Sequence, residues 1–128
     1  MLPNRRFLGA WALFAFQSRR PAGEIIYPWG QDPVGIVIWD ESGHVSAQLG
    51  PRNADGAGYV AYFGVFEADD APEGTAVTHV IGASSARYHS DQLRHFRFDG
   101  NDGLELSPPP APDGTVSILF WRRLFADG

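Results

Sequence analysis

A strand histidine, a strand tyrosine and a strand arginine carry most of the chemistry this sequence could perform. The chain has no cysteine, and its 10 basic residues are all arginine. Thiol nucleophiles, thiolate metal sites and disulfides are thereby excluded, as are mechanisms built on a Schiff-base or phosphate-loop lysine. His79 lies between Val77 and Ile81 on one face of an alternating segment. If that face lines an interior, its imidazole could fix a ligand carbonyl or move a proton. Otherwise it is a histidine satisfied by a neighbouring hydroxyl, or one turned to solvent. Arg94 shares a face with Phe96 and Phe98. That grouping suits an inward anchor for a ligand carboxylate or an outward arginine laid over its neighbours. Tyr59 and Tyr62 fall on opposite faces of one strand, so only one points inward unless nearby Gly64 makes a bulge.

Other signals are weaker. Gln48 shares a face with Ser46 and His44, the pattern of a solvated strand surface. Trp29 and Trp39 lie near loops and suit the mouth of a cavity or a core. His44, His79, His89 and His95 lack metal-ligand spacing, and the pair His89 and Asp91 is too little for a site, so no metal is expected. The sequence contains neither a Gly-x-Ser-x-Gly nor a Gly-x-Gly-x-x-Gly motif, and its acids cluster in turns such as Asp40-Glu41 and Asp69-Asp70. No cofactor is expected.

The elements that must position these residues are short. The 128 residues include 15 Gly and 10 Pro, a density of breakers that disfavours a helical bundle. Apolar runs bounded by Gly, Pro, Asp or Asn fall at 11–19, 24–28, 34–40, 44–49, 59–67, 75–82, 91–98, 104–107 and 115–125. His44–Leu49 and Asp91–Phe98 show the period-two alternation of half-buried strands. The expectation is one all-β domain over residues 1–128, an antiparallel up-and-down barrel of about 8–10 strands or a sandwich, with a short N-terminal helical turn. A net charge of −5 disfavours nucleic acid as a partner. Arg5-Arg6 and the apolar run after it resemble a secretory signal. The run lacks a small-residue cleavage site and is too short to span a bilayer, so it is read as the first strand of a cytoplasmic protein without a membrane partner.

Gly9-Ala10-Trp11 ahead of the first strand and Trp121-Arg122-Arg123 in the last one choose the barrel. Here the chain resembles the lipocalins. In those barrels a Gly-x-Trp opens strand one, the Trp packs across the floor, and an Arg near the chain end covers its indole, a cation–π contact of about 0.5–2 kcal/mol. More of the chain is similar to the lipocalin-like domain family of small microbial proteins. The matching stretches are Phe7–Trp11, Tyr27–Gly30, Asp32–Gly35, Ser46–Leu49, Tyr59–Gly64, Val77–His79, Phe98–Gly100 and Trp121–Arg123. That family usually has an acid between the final Trp and Arg where this chain has Arg122. Arg123 matches the covering Arg, with Arg122 a competitor for the role.

The resemblance implies a barrel of calycin type that binds a small hydrophobic or aromatic molecule in an internal cavity. Trp29, Trp39, Gln48, Tyr59, Phe63 and Phe96 are its expected lining. Gly9, Trp11 and Arg123 form the expected floor. A second expectation is a cofactor-independent cyclase or isomerase acting on a polyketide- or terpenoid-like natural-product intermediate. His79, Tyr62 and Arg94 would then be catalytic, with Tyr62 chosen because the resemblance centres there. A third is a structural or interaction protein with a filled barrel. Convergence of His79, Tyr62 and Arg94 on one spot separates enzyme from binder, and empty inward volume separates both from a filled barrel. A homodimer stays open.

Overall fold

The computed structural model describes residues 4–52 and 58–125. Part of the loop expected at 50–58 lies outside that range. The strands are β1 (Gly9–Arg19), β2 (Ile25–Ile26), β3 (Val34–Trp39), β4 (His44–Gly50), β5 (Val60–Ala68), β6 (Glu73–Ala83), β7 (Gln92–Asp99), β8 (Gly103–Ser107) and β9 (Val116–Arg123). Short 3-10 turns occur at Arg5–Phe7 and Ala86–Tyr88. No helix among the described residues is long and apolar enough to cross a membrane.

All strand pairs are antiparallel, and neighbours in the sheet are neighbours in sequence except around β1. The first half of β1 pairs with β3 and its last two residues pair with β2. Its other edge pairs with β9 from Trp11↔Arg123 to Arg19↔Val116, which closes an eight-strand barrel and leaves β2 as an added strand. Closure removes the unpaired edges that an open sheet would expose. It also fixes which side chains face inward. Val45, Ala47 and Leu49 of β4 are buried, as the alternation predicts.

The packed core lies at one end. The turn Arg5–Phe7 is held there by Asn4, whose Oδ1 accepts from the Arg6 amide at 3.0 Å. The Asn4 Nδ2 donates to the carbonyls of Asp69 (3.0 Å) and Ala71 (2.7 Å), across the β5–β6 turn. Phe7 is thereby driven into the barrel axis. Its ring lies 4.8–5.0 Å, centroid to centroid, from Trp39, Phe66, Phe96 and Phe98, mostly edge to face. Trp11 seals the same layer, wholly buried, and its indole N–H donates to the Phe7 carbonyl at 2.9 Å.

Arg123 finishes this floor. Its guanidinium carbon sits 4.2 Å from the Trp11 ring centroid. Its N–H groups donate to the carbonyls of Leu8 (2.7 Å), Arg6 (2.8 Å) and Asn101 (2.9 Å). Arg122, one residue earlier, points out of the barrel and lies 4.0 Å over Phe14, so it does not compete for Trp11. Gly9 has φ of +113°, which L side chains rarely adopt, and a Cβ there would approach Arg123 Nη1 to 3.3 Å. The Gly of the Gly-x-Trp is thus needed both for the bend and for the arginine.

Candidate functional site

Above the aromatic layer, the other end of the barrel holds a cavity of about 430 Å³. Its wall is mostly apolar: Phe16 of β1, Leu49 of β4, Val60 of β5, and Leu106 and Leu119, which face each other across β8 and β9. Trp121 lies at its base. Trp29, in the loop before β3, closes one side by packing edge to face on Phe16 at 4.8 Å. Tyr88 and Arg87 of the second 3-10 turn stand at the mouth.

Polar groups inside come from neighbouring elements. Tyr62 projects inward from β5, and Gln92 and Arg94 project inward from β7. Burial pushes the Tyr62 phenol up, and the positive charge of Arg94 pulls against it. The phenol therefore stays protonated at neutral pH. Burial lowers the Arg94 guanidinium, with Tyr62 opposing, but an arginine remains charged across the physiological range. Arg94 Nη1 donates to the Leu93 carbonyl (2.7 Å) and Nη2 to Gln92 Oε1 (2.8 Å). Gln92 Nε2 in turn donates to the Tyr88 carbonyl at 3.0 Å, tying the mouth to the strand. Ser18 and Ser117 hydroxyls satisfy each other at 2.8 Å.

Tyr62 and Arg94 therefore meet in the cavity, and His79 does not join them. Ala76 and Thr78 of β6 are the buried residues, which leaves His79 on the outer surface. There its Nε2 lies 2.5 Å from Glu67 Oε2 and its Nδ1 3.1 Å from Asp91 Oδ2. The Glu67 contact first, and Asp91 second, raise its pKa. This histidine is a surface clamp between β5, β6 and the turn before β7, remote from any guest in the barrel.

The expected lining divides in the same way. Trp29 borders the cavity. Tyr59 lines an adjoining hollow of about 360 Å³ that shares Trp29, Val60 and Tyr88 with it. Gln48 is exposed, its amide donating to Ser46 Oγ at 3.0 Å, because Ala47 and Leu49 take the inward positions of β4. Phe63 is 51% exposed on the outside, its ring laid over Gly82 of β6. The pairing slips between Phe63 and Gly64, where a Cβ on Gly64 would meet the His79 carbonyl oxygen at 2.1 Å. Trp39 and Phe96 face inward but belong to the packed layer around Phe7, below the cavity. Sequence reasoning missed Phe16, Gln92, Leu106 and Leu119. The signal was present for the last two, since period-two counting back from Trp121 reaches Leu119 and its partner Leu106.

A larger depression of about 770 Å³ lies under the closed end, bordered by Arg6, Asn101, Arg123 and Phe125. Its arginines stand beside acids, Arg6 at 3.3 Å from Asp70 and Arg123 at 3.9 Å from Asp102, which itself borders the depression. Among the described residues no group of three or more His, Cys, Asp or Glu is placed to hold a metal ion.

Residues 8–57 match the lipocalin-like domain family. The match takes in the Gly-x-Trp and the stretches at 27–30, 32–35 and 46–49, whereas those at 59–64, 77–79, 98–100 and 121–123 lie beyond it. No curated protein matches the sequence. Among solved structures, a redesigned β-barrel is 10% identical over 95% of each chain, with a TM-score of 0.52. A de novo designed fluorescence-activating β-barrel is 16% identical over 94% of this chain and 96% of that one, with a TM-score of 0.48. The first of these likenesses supports the barrel fold and speaks only to fold. The lipocalin-like barrel thus agrees with the strand pairing, and the cavity is the part of it that can hold a guest.

Proposed function

We propose that this lipocalin-like barrel binds one small, largely apolar or aromatic molecule in the cavity at its open end. The observation that carries the reading is an unfilled volume of about 430 Å³ above a floor that is packed solid. A barrel of this strand number can enclose one small ligand. The volume lies within the range of about 300–1,000 Å³ usual for ligand pockets, and an apolar wall with a few convergent polar groups is their usual make-up. A barrel filled by its own side chains would lack such a space. Conversion of the guest, as by a cyclase, would have to proceed without His79, and the Tyr62–Arg94 pair alone does not favour it over binding.

Native mass spectrometry on gently purified protein tests the reading, together with thermal shift across apolar acids and polyketide-like compounds. The expected result is a retained small molecule, or a raised melting temperature with a subset of compounds. No retained mass and no shift with any compound would overturn it.

A further inference from the structure

The cavity has a charge opposite to that of the chain. The protein carries a net charge of −5, yet among the described residues two arginines, Arg87 and Arg94, line the cavity and no Asp or Glu does. Among the described residues Arg94 makes no ion pair, whereas Arg5, Arg6, Arg52, Arg97 and Arg123 each lie near a carboxylate. Arg87 lies 5.5 Å from the Tyr88 ring centroid at the mouth. Arg94 is partly screened from water and has no anion beside it among the described residues, so a bound anion would be favourable there.

Hydrogen-bonding capacity points the same way. The acceptors named inside each have a protein partner: Gln92 Oε1 takes Arg94, the Tyr88 carbonyl takes Gln92, and one serine hydroxyl takes the other. N–H groups without a protein partner remain as donors. Arg94 retains its Nε–H and the second hydrogen on each terminal nitrogen, with no partner among the described residues. The Trp121 indole N–H, buried at the base, has none either. Tyr62 is a protonated phenol beside Arg94, free to donate.

We infer that the guest of this cavity is a carboxylic acid with an apolar body, its carboxylate on Arg94 and Tyr62 and its body against Phe16, Leu106, Leu119 and Trp121. The inference rests on the ligand-binding reading above and narrows it to a ligand class. The planar fork of a guanidinium matches a carboxylate in a way that a neutral amide of the same shape does not. The volume, at about 30 Å³ per water-sized unit, admits a body of roughly a dozen heavy atoms, such as a bicyclic aromatic or a medium alkyl chain.

Matched acid–amide pairs test it. Naphthylacetate, phenylbutanoate and decanoate are each titrated by calorimetry against the corresponding primary amide, first with the wild-type protein. At least one acid is expected to bind more tightly than its own amide by about tenfold or more. The preference should vanish in Arg94→Gln and survive in part in Arg94→Lys, with both variants checked for native circular dichroism. Acids and amides binding wild type equally well would overturn the carboxylate assignment and leave the binding reading standing. So would an acid preference that persists in a folded Arg94→Gln. If none of the six compounds binds and native mass spectrometry finds no retained molecule, both readings fall. A variant that does not fold leaves the wild-type comparison decisive by itself.

Discussion

Arg123 and Arg94 both face into the barrel, one near each end, and they are used in opposite ways. Arg123 places three of its five N–H donors on backbone carbonyls and its face on the Trp11 indole, and so ties the floor together. Arg94 is held by one carbonyl and one glutamine oxygen, and the rest of its fork opens into the cavity. The aromatic residues divide likewise. Phe7, Trp11, Trp39, Phe66, Phe96 and Phe98 interlock at the closed end. Phe16, Trp29 and Tyr62 at the open end wall a space without filling it. One end of this small barrel supplies stability, which frees the other to leave volume empty.

The largest effect should come from breaking the closed end. Trp11→Ala removes the largest fully buried side chain and its bond to Phe7, and should cost about 3–5 kcal/mol in urea unfolding. A loss below about 1 kcal/mol would mean the floor does not depend on it. Arg123→Met should cost about 2–3 kcal/mol, since carbonyls of Leu8 and Arg6 lose a charged donor. Arg122→Met, which loses the contact with the exposed Phe14, should cost less than about 1 kcal/mol. Equal losses for the two arginines would erase the distinction between floor and surface. At the open end Arg94→Met should change stability by less than about 1 kcal/mol, because an unpaired inward charge gives way to an apolar chain. A loss as large as that of Arg123→Met would make Arg94 a structural residue.

The smallest effect concerns the outer wall. Glu67 and Asp91 raise the pKa of His79 above its ordinary value of 6.5, so their contact is fully stabilising below that pH. It fades as pH rises through the higher folded value. Unfolding free energy followed from pH 6 to pH 9 should therefore fall slightly in wild type, and His79→Gln should flatten that part of the decline. Identical slopes for the two proteins would remove the clamp from the account.

The elements were legible in the sequence and their orientation was only partly so. Each of the nine apolar runs became a strand, because Gly, Pro, Asn and Asp mark every turn and alternation marks β4 and β7. Gly9, Trp11 and Arg123 could be read from the resemblance alone. His79 could not be placed. β6 carries apolar residues on both faces, Val77 and Ile81 outside and Ala76 and Val80 in the other register, so alternation names no inner side. Along β5 plain alternation puts Phe63 outside once Tyr62, Gly64 and Phe66 face inward, and the residue skipped at the slip is Ile81 of β6. Arg94 was legible as one of two alternatives. What decided between them was closure of the barrel, a property of β1 meeting β9 more than a hundred positions along the chain.

The four tryptophans report on the two ends directly, because Trp11 and Trp39 lie in the floor while Trp29 and Trp121 border the cavity. Titration of nitrogen-15-labelled protein with naphthylacetate should move the indole N–H signals of Trp29 and Trp121 and leave those of Trp11 and Trp39 in place. Movement of Trp11 and Trp39 with Trp29 and Trp121 unchanged would put the guest at the wrong end and contradict the division of the barrel into a solid floor and an open site.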